Sequence, residues 1–185
     1  VDASELFKEI VNPNLKYFKN KREFQPFIDS IKRIESELSI RQARYISIAL
    51  YDAYKRKVLK CQDLKKVGIL LEDFLFAYTS ITSGRANRYA GRFSSFAREL
   101  HATTKRNDAI KLIKELSTDL AEKYPSKDQF IAGYKKLIYS SKGIKASECM
   151  KTKYALRRLS DYYASNNYNL VEPTIEHIMP DNSNT

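Results

Sequence analysis

Near the C-terminus, Thr174-Ile175-Glu176-His177-Ile178-Met179-Pro180 sets a carboxylate beside an imidazole. Histidine is the side chain whose unperturbed pKa, about 6.5, lies next to neutral pH, so His177 can take a proton from water there. A neighbouring carboxylate such as Glu176 can hold a hard divalent cation, which offsets charge on a phosphodiester and favours departure of the leaving oxygen. Together the two side chains amount to half of a metal-assisted phosphodiester hydrolysis site. The run around them, from Val171 to His177, alternates in the manner of an extended strand, and successive strand residues point to opposite faces. Both groups can therefore address one phosphate only where the strand ends or bulges, and Pro180 fits an ending. The other reading of the same residues is a histidine capped or partly buried at a strand end.

Elsewhere the chemistry-bearing residues are fewer. His101 lies among Arg98, Glu99 and Lys105 with no arrangement that would make a metal site, and reads as a surface residue. Cys61 and Cys149 stand far apart and outside any C-x-x-C spacing, which argues against zinc and against a disulfide framework and makes a reducing cytoplasm the natural setting. There is no glycine-rich phosphate loop, no G-K-[ST] and no serine elbow, so nucleotide hydrolysis and acyl transfer have no support.

Charge points to a partner. The chain carries 33 Lys plus Arg against 22 Asp plus Glu, a net +11, and nucleic acid leads the partner classes for such an excess. Two groups of cations stand out. Arg85, Arg88 and Arg92 have the spacing of one helical face and could follow phosphates, although an exposed charged face is the ordinary fate of such residues. Neighbouring Tyr89 and Phe93 offer rings for base stacking, but their helical spacing favours core. Lys151, Lys153, Arg157 and Arg158 lie just upstream of the Glu176-His177 pair and form the second candidate phosphate-binding group, so that DNA is the expected partner.

The elements that must position these residues are helical. Five Gly and five Pro punctuate a chain that is 43% apolar, and between them the apolar residues recur at intervals of three and four. The spacing predicts a helix from Ser4, a plausible N-cap, to near Pro13. A second carries Phe27, Ile28, Ile31, Ile34 and Leu38 on one side, and a third carries Ile40, Ala43, Ile46, Leu50 and Tyr54. A central helix, apolar almost all round, should end at Gly84. Further helices follow over "RANRYAGRFSSFARELHA" and over "NDAIKLIKELSTDLAEKYP", the latter capped by Asn107. The next opens on the capping-box pair Ser126 and Gln129 and stops at Gly143, and a last one turns Leu156, Leu159 and Tyr163 inward. The predicted fold is therefore an all-α multi-helix bundle of seven or eight helices over residues 1–165, followed by a short extended segment. No apolar stretch approaches the roughly 20 residues of a membrane span, and no membrane role is expected.

The sequence E-H-I-M-P after a short β run resembles the first element of HNH, or ββα-metal, nucleases. "TKYALRRLSDYY" followed closely by "PTIEHIMPDN", together with "GRANRYAGRFSSFAREL", resembles the GmrSD-like family of modification-dependent restriction endonucleases of bacterial phage defence. That resemblance implies His177 as the general base activating water, Glu176 as a ligand of Mg²⁺ or a similar ion, and DNA as the substrate. It also implies an N-terminal domain with a nucleotide-dependent role before the helices. An HNH unit needs a second strand, its asparagine and a further helix, and an average helix alone takes about 11 to 12 residues. Residues 166–185 are accordingly expected to be the truncated start of a nuclease domain, missing N- and C-terminal domains belong to the same polypeptide, and the chain alone is expected to be inactive. The alternative is a non-catalytic helical module that binds nucleic acid or acts as a scaffold.

Overall fold

The apolar stripes become helices in the computed structural model, which describes residues 3–140 and 143–165. Eight α-helices and no strands occur among the described residues, as the all-α reading expects. They are α1 (Ala3–Val11), α2 (Gln25–Lys32), α3 (Arg44–Lys55), α4 (Cys61–Leu75), α5 (Ala90–Ala102), α6 (Arg106–Glu122), α7 (Lys127–Tyr134) and α8 (Ala146–Ser165). The predicted C-terminal strand lies outside the described residues. Both α2 and α4 run on into a π-helical turn, at Arg33–Glu37 and Phe76–Ile81. Among the described residues no helix is long and apolar enough to cross a membrane. Where the sequence suggests one helical region over 1–165, the chain divides into two compact units, Val1–Gly133 and Tyr134–Thr185.

In the first unit the stripes read from sequence form the core. Phe27, Ile28, Ile31 and Ile34 are buried, as are Ile40, Ala43, Ile46 and Leu50, while Leu38 and Tyr54 pack against them half-buried. The third helix packs on α1 and α5, and α2 packs on α4. Gly68 of α4 lets that last pair approach closely, since a Cβ there would meet the Phe27 ring at 3.0 Å. Overpacking such a contact costs about 1–3 kcal/mol. On α6, Leu116 and Leu120 are buried and Ile110 and Ile113 are half-buried.

Charged pairs brace the helix ends. Asp52 is almost fully buried on α3 and accepts from Arg56 Nε at 2.8 Å, and the rest of that guanidinium donates to the carbonyls of Leu100 (3.0 Å) and Thr103 (2.7 Å). A cation thus closes the C-terminal end of α5, where the last carbonyls lack helical partners and the helix dipole is negative. Glu35 and Arg44 form a bidentate pair at 2.5 and 2.6 Å, and Lys55 reaches Glu9 of α1 at 2.5 Å.

Two predicted caps are displaced. Ser4 lies within α1, and α6 begins one residue before Asn107, with Lys105 at its N-cap and no side-chain cap bond. Asp63 instead ties the starts of two helices together. It accepts the backbone N–H of Lys60 at 2.8 Å and holds Arg106 at 2.6 and 3.1 Å. The capping box of α7 forms as expected, with Ser126 N–H donating to Gln129 Oε1 (2.9 Å) and Gln129 N–H to Ser126 Oγ (3.2 Å). That helix stops at Tyr134, before Gly143, which adopts a left-handed φ of 74°.

In the second unit, residues 138–140 lie along the first half of α8. Thr152 Oγ1 donates to the Ile138 carbonyl at 2.7 Å and Cys149 Sγ to that of Ser140 at 3.4 Å. The face of α8 that is buried carries Tyr154 and Ala155, so the expected inward stripe of Leu156, Leu159 and Tyr163 is corrected: all three are exposed. Both faces of this helix carry large apolar or aromatic groups, and periodicity alone does not choose between them.

Burial acts to raise the pKa of Asp63, but hydrogen bonds from Arg106 and the Lys60 backbone prevail and hold it below the usual carboxylate range. A depressed carboxylate stabilises the fold above its unfolded pKa of about 3.9 and loses that contribution as pH falls through the folded value. Arg106→Gln is therefore expected to lower stability at neutral pH by roughly 1 kcal/mol, as suits a partly exposed pair. In denaturant titrations the gap between the two proteins should close as pH falls below about 4.

Candidate nucleic-acid interface

Arg85, Arg88 and Arg92 straddle a change of backbone. Arg85 is extended ahead of the 3-10 turn Ala86–Tyr89, Arg88 lies in that turn, and Arg92 is on α5. Only Arg88 and Arg92 line a common groove, about 470 Å³ in volume, whose other walls include Asp119, Glu122 and Lys123. Arg92 Nε donates to Asp119 Oδ2 of α6 at 2.5 Å. The predicted ridge is thus split, with Arg85 and Arg88 exposed and Arg92 committed to a carboxylate. Two acidic side chains in the same groove weaken its pull on phosphate.

The rings beside these arginines are interior. Phe93 is fully buried, and Tyr89 packs edge-on against Phe74, with ring centroids 4.9 Å apart. Burial, with smaller contributions from Tyr78 and Asp119, pushes the Tyr89 phenol up to about 12. Core is the role these aromatics have, and their sequence spacing favours it.

On α8, Lys151 Nζ bonds Glu148 Oε1 at 2.8 Å, Lys153 stands 5.5 Å above the Tyr139 ring, and Arg157 lies 5.8 Å from the Tyr154 ring centroid. Arg158 is half-buried and Lys153 exposed. The four cations remain on one helix, but only Lys153 extends well into solvent. Glu176 and His177 lie outside the described residues. His101, read as a surface residue, has a side chain 75% exposed, with Nδ1 at 3.0 Å from Asp52 Oδ2. Among the described residues no group of three or more His, Cys, Asp or Glu side chains is arranged to hold a metal ion.

A larger basic concavity does not follow from either arginine-rich run. Its volume is about 700 Å³, and it is walled by the loop between α1 and α2 and the loop between α3 and α4. Lys19 and Lys21 come from the first loop, Lys55 from the end of α3, and Lys57 and Lys60 from the second loop, against the single carboxylate of Glu23. Phe18, Tyr51 and Tyr54 lie beneath. Two hydrogen bonds tie the first loop to the helices that flank the second: Tyr51 Oη of α3 donates to the Tyr17 carbonyl at 2.9 Å, and Cys61 Sγ at the start of α4 to the Glu23 carbonyl at 3.3 Å. Lys19, Asn20 and Lys57 hold left-handed φ values of 56°, 56° and 63°. For side chains other than glycine such backbone is uncommon, and it turns each loop sharply at the rim. The signal in the sequence is a pair of dense basic-aromatic runs, "LKYFKNKREF" and "YKRKVLK". Their meeting is a tertiary fact that no local pattern contains.

Compared with known proteins, the chain matches no family model, no curated protein and no solved structure with significance.

Burial, with Glu23 adding to it, raises the Cys61 thiol to about 11, so it is protonated at neutral pH and serves as a donor. Alkylation of Cys61 by iodoacetamide at pH 8, followed by peptide mass spectrometry, should be on the order of 10²-fold slower than for a free cysteine of pKa about 8.5. Reaction at the free-thiol rate would show the α1–α2 loop released from the start of α4.

Proposed function

We propose that this chain is the helical portion of a metal-dependent DNA endonuclease of the HNH type, of the phage-defence kind implied by its GmrSD-like resemblance. The observation that carries the reading is the run Glu176-His177-Ile178-Met179-Pro180, which follows closely on the helix bearing "TKYALRRLSDYY". The net charge of +11 supports DNA as the partner, and the basic surfaces on the helices supply sequence-independent phosphate contacts.

In this reading His177 takes a proton from water as the water oxygen forms its bond to phosphorus and the bond to the leaving oxygen breaks. Glu176 is the carboxylate that would hold a divalent ion, Mg²⁺ or one like it, whose charge offsets that of the phosphodiester. The helices hold the DNA while this chemistry proceeds, and Arg85, Arg88, Lys153 and the half-buried Lys151, Arg157 and Arg158 are candidates for the contacts. Arg92 joins them only by exchanging Asp119 for a phosphate.

The test is cleavage by the full-length protein with its metal. His177→Ala should abolish cutting while leaving DNA binding nearly intact, the signature of a group that acts mainly in the transition state. Glu176→Ala should instead raise the metal concentration needed. The parental rate should climb with pH through about 6.5 as the base loses its proton. A His177→Ala protein that cuts at the parental rate would return the motif to a structural strand end and leave a binding or scaffolding module.

A further inference from the structure

We propose that the groove between the α1–α2 and α3–α4 loops binds the phosphate backbone of a DNA strand, through Lys19, Lys21, Lys57 and Lys60. DNA as the ligand is taken from the functional reading above; the site itself is read from the geometry of the groove.

Three features separate this groove from an ordinary lysine-bearing surface. Its charge is predominantly positive: five lysines line it against the one carboxylate of Glu23. Of the five, Lys55 is already bound to Glu9 at 2.5 Å and stands 4.8 Å above the Tyr51 ring. The ammonium groups of the other four form no ion pair with any described residue, and those side chains are exposed. Elsewhere in this unit arginines find carboxylates, at Glu35, Asp52, Asp63 and Asp119. Here four cations border one concavity, and a cleft dominated by one sign of charge over a low-dielectric floor focuses its field on the ligand.

Second, the rim is stiff. The α1–α2 loop is tied to α3 and to the start of α4 by the Tyr51–Tyr17 and Cys61–Glu23 bonds, and Lys19 and Lys57 sit at left-handed turns. Such turns are unfavourable where glycine is absent, and the packing beneath must hold them. Cations on a fixed rim give up less freedom when they meet a ligand than cations on a mobile tail.

Third, the groove is open and far larger than one phosphate, with Tyr17 exposed at its edge. Lysines act as point charges without bidentate geometry, so the contact suits successive phosphates along a strand and carries no base preference. The smaller groove at Arg88 and Arg92 has the opposite character, since two carboxylates share it.

The experiment is fluorescence anisotropy of a labelled duplex of about 20 base pairs with the chain itself, at salt from about 50 to 200 mM. In the parent, log K should fall steeply against log salt. With Lys19, Lys21, Lys57 and Lys60 all changed to Gln, the slope should become shallower by about 3, and affinity in low salt should drop at least about 10-fold. Changing the four to Arg should restore both, and the Arg85→Gln, Arg88→Gln double variant should shift the slope by less than the lysine variant does. All four positions are exposed, so thermal melts of the variants should match the parent. An unchanged slope in the lysine variant, or a parent that fails to bind duplex, would overturn the proposal. So would a mononucleotide that needs the four lysines while duplex binding does not, which would assign the groove to a small anion. Binding is read without cleavage, so failure here leaves the nuclease reading standing, and failure of His177→Ala to block cutting leaves this result untouched.

Discussion

Tyr51 is the side chain on which the arrangement of the first unit's basic end depends. It is fully buried on α3, its ring 4.6 Å from that of Phe18, and its hydroxyl donates to the backbone of Tyr17. Burial first, and then Glu9, push the phenol well above its ordinary pKa, so it remains a donor at any physiological pH. A buried hydroxyl left without its acceptor costs about 1–3 kcal/mol, and that penalty holds the α1–α2 loop to the helix. Phe18 and Phe24 follow their backbone into the core beside Phe27 and Tyr54. The lysines at the outside of the same loop are thereby carried to the rim of the groove.

Charge is handled differently inside and outside this frame. The interior pairs are braces: Arg56 joins Asp52 to the end of α5, Arg44 joins Glu35, and Arg106 joins Asp63. Each leaves a buried or half-buried carboxylate or carbonyl satisfied, which matters more to the fold than the small net gain of an exposed ion pair. The surplus of positive charge is then left for the surface. Arginine, whose planar fork suits bidentate pairing, supplies most of the braces, and lysine supplies most of the unpaired cations around the larger groove. That division explains why an arginine spacing that looks like a phosphate ridge in sequence ends with Arg92 on Asp119.

Much of the helical architecture is legible in the residues. Ile46 and Leu50 on α3 or Ile31 and Ile34 after Pro26 lie on stripes too regular for another structure, and each is buried. The Ser126-x-x-Gln129 pair also works as read, because a capping box is a local device. Asn107 fails as a cap for the converse reason: α6 starts where Arg106 meets Asp63, a contact across 43 positions of sequence. On α8, Tyr154 and Leu156 are equally apolar choices, and what is packed alongside, the 138–140 segment, decides which face turns inward. The basic groove was the least legible feature, since its two walls are separated by the whole of α2 and α3. Each wall alone is a short lysine-rich turn of a kind found on any soluble domain.

We propose that the helical region meets DNA at the lysine groove. Backbone amide shifts of the labelled chain, followed by NMR during titration with a short duplex at low salt, test it most directly. The largest changes are expected on residues 16–24 and 54–62, fading as salt is raised. Changes centred on residues 85–92 and 115–123, with the two lysine-bearing loops unmoved, would contradict it.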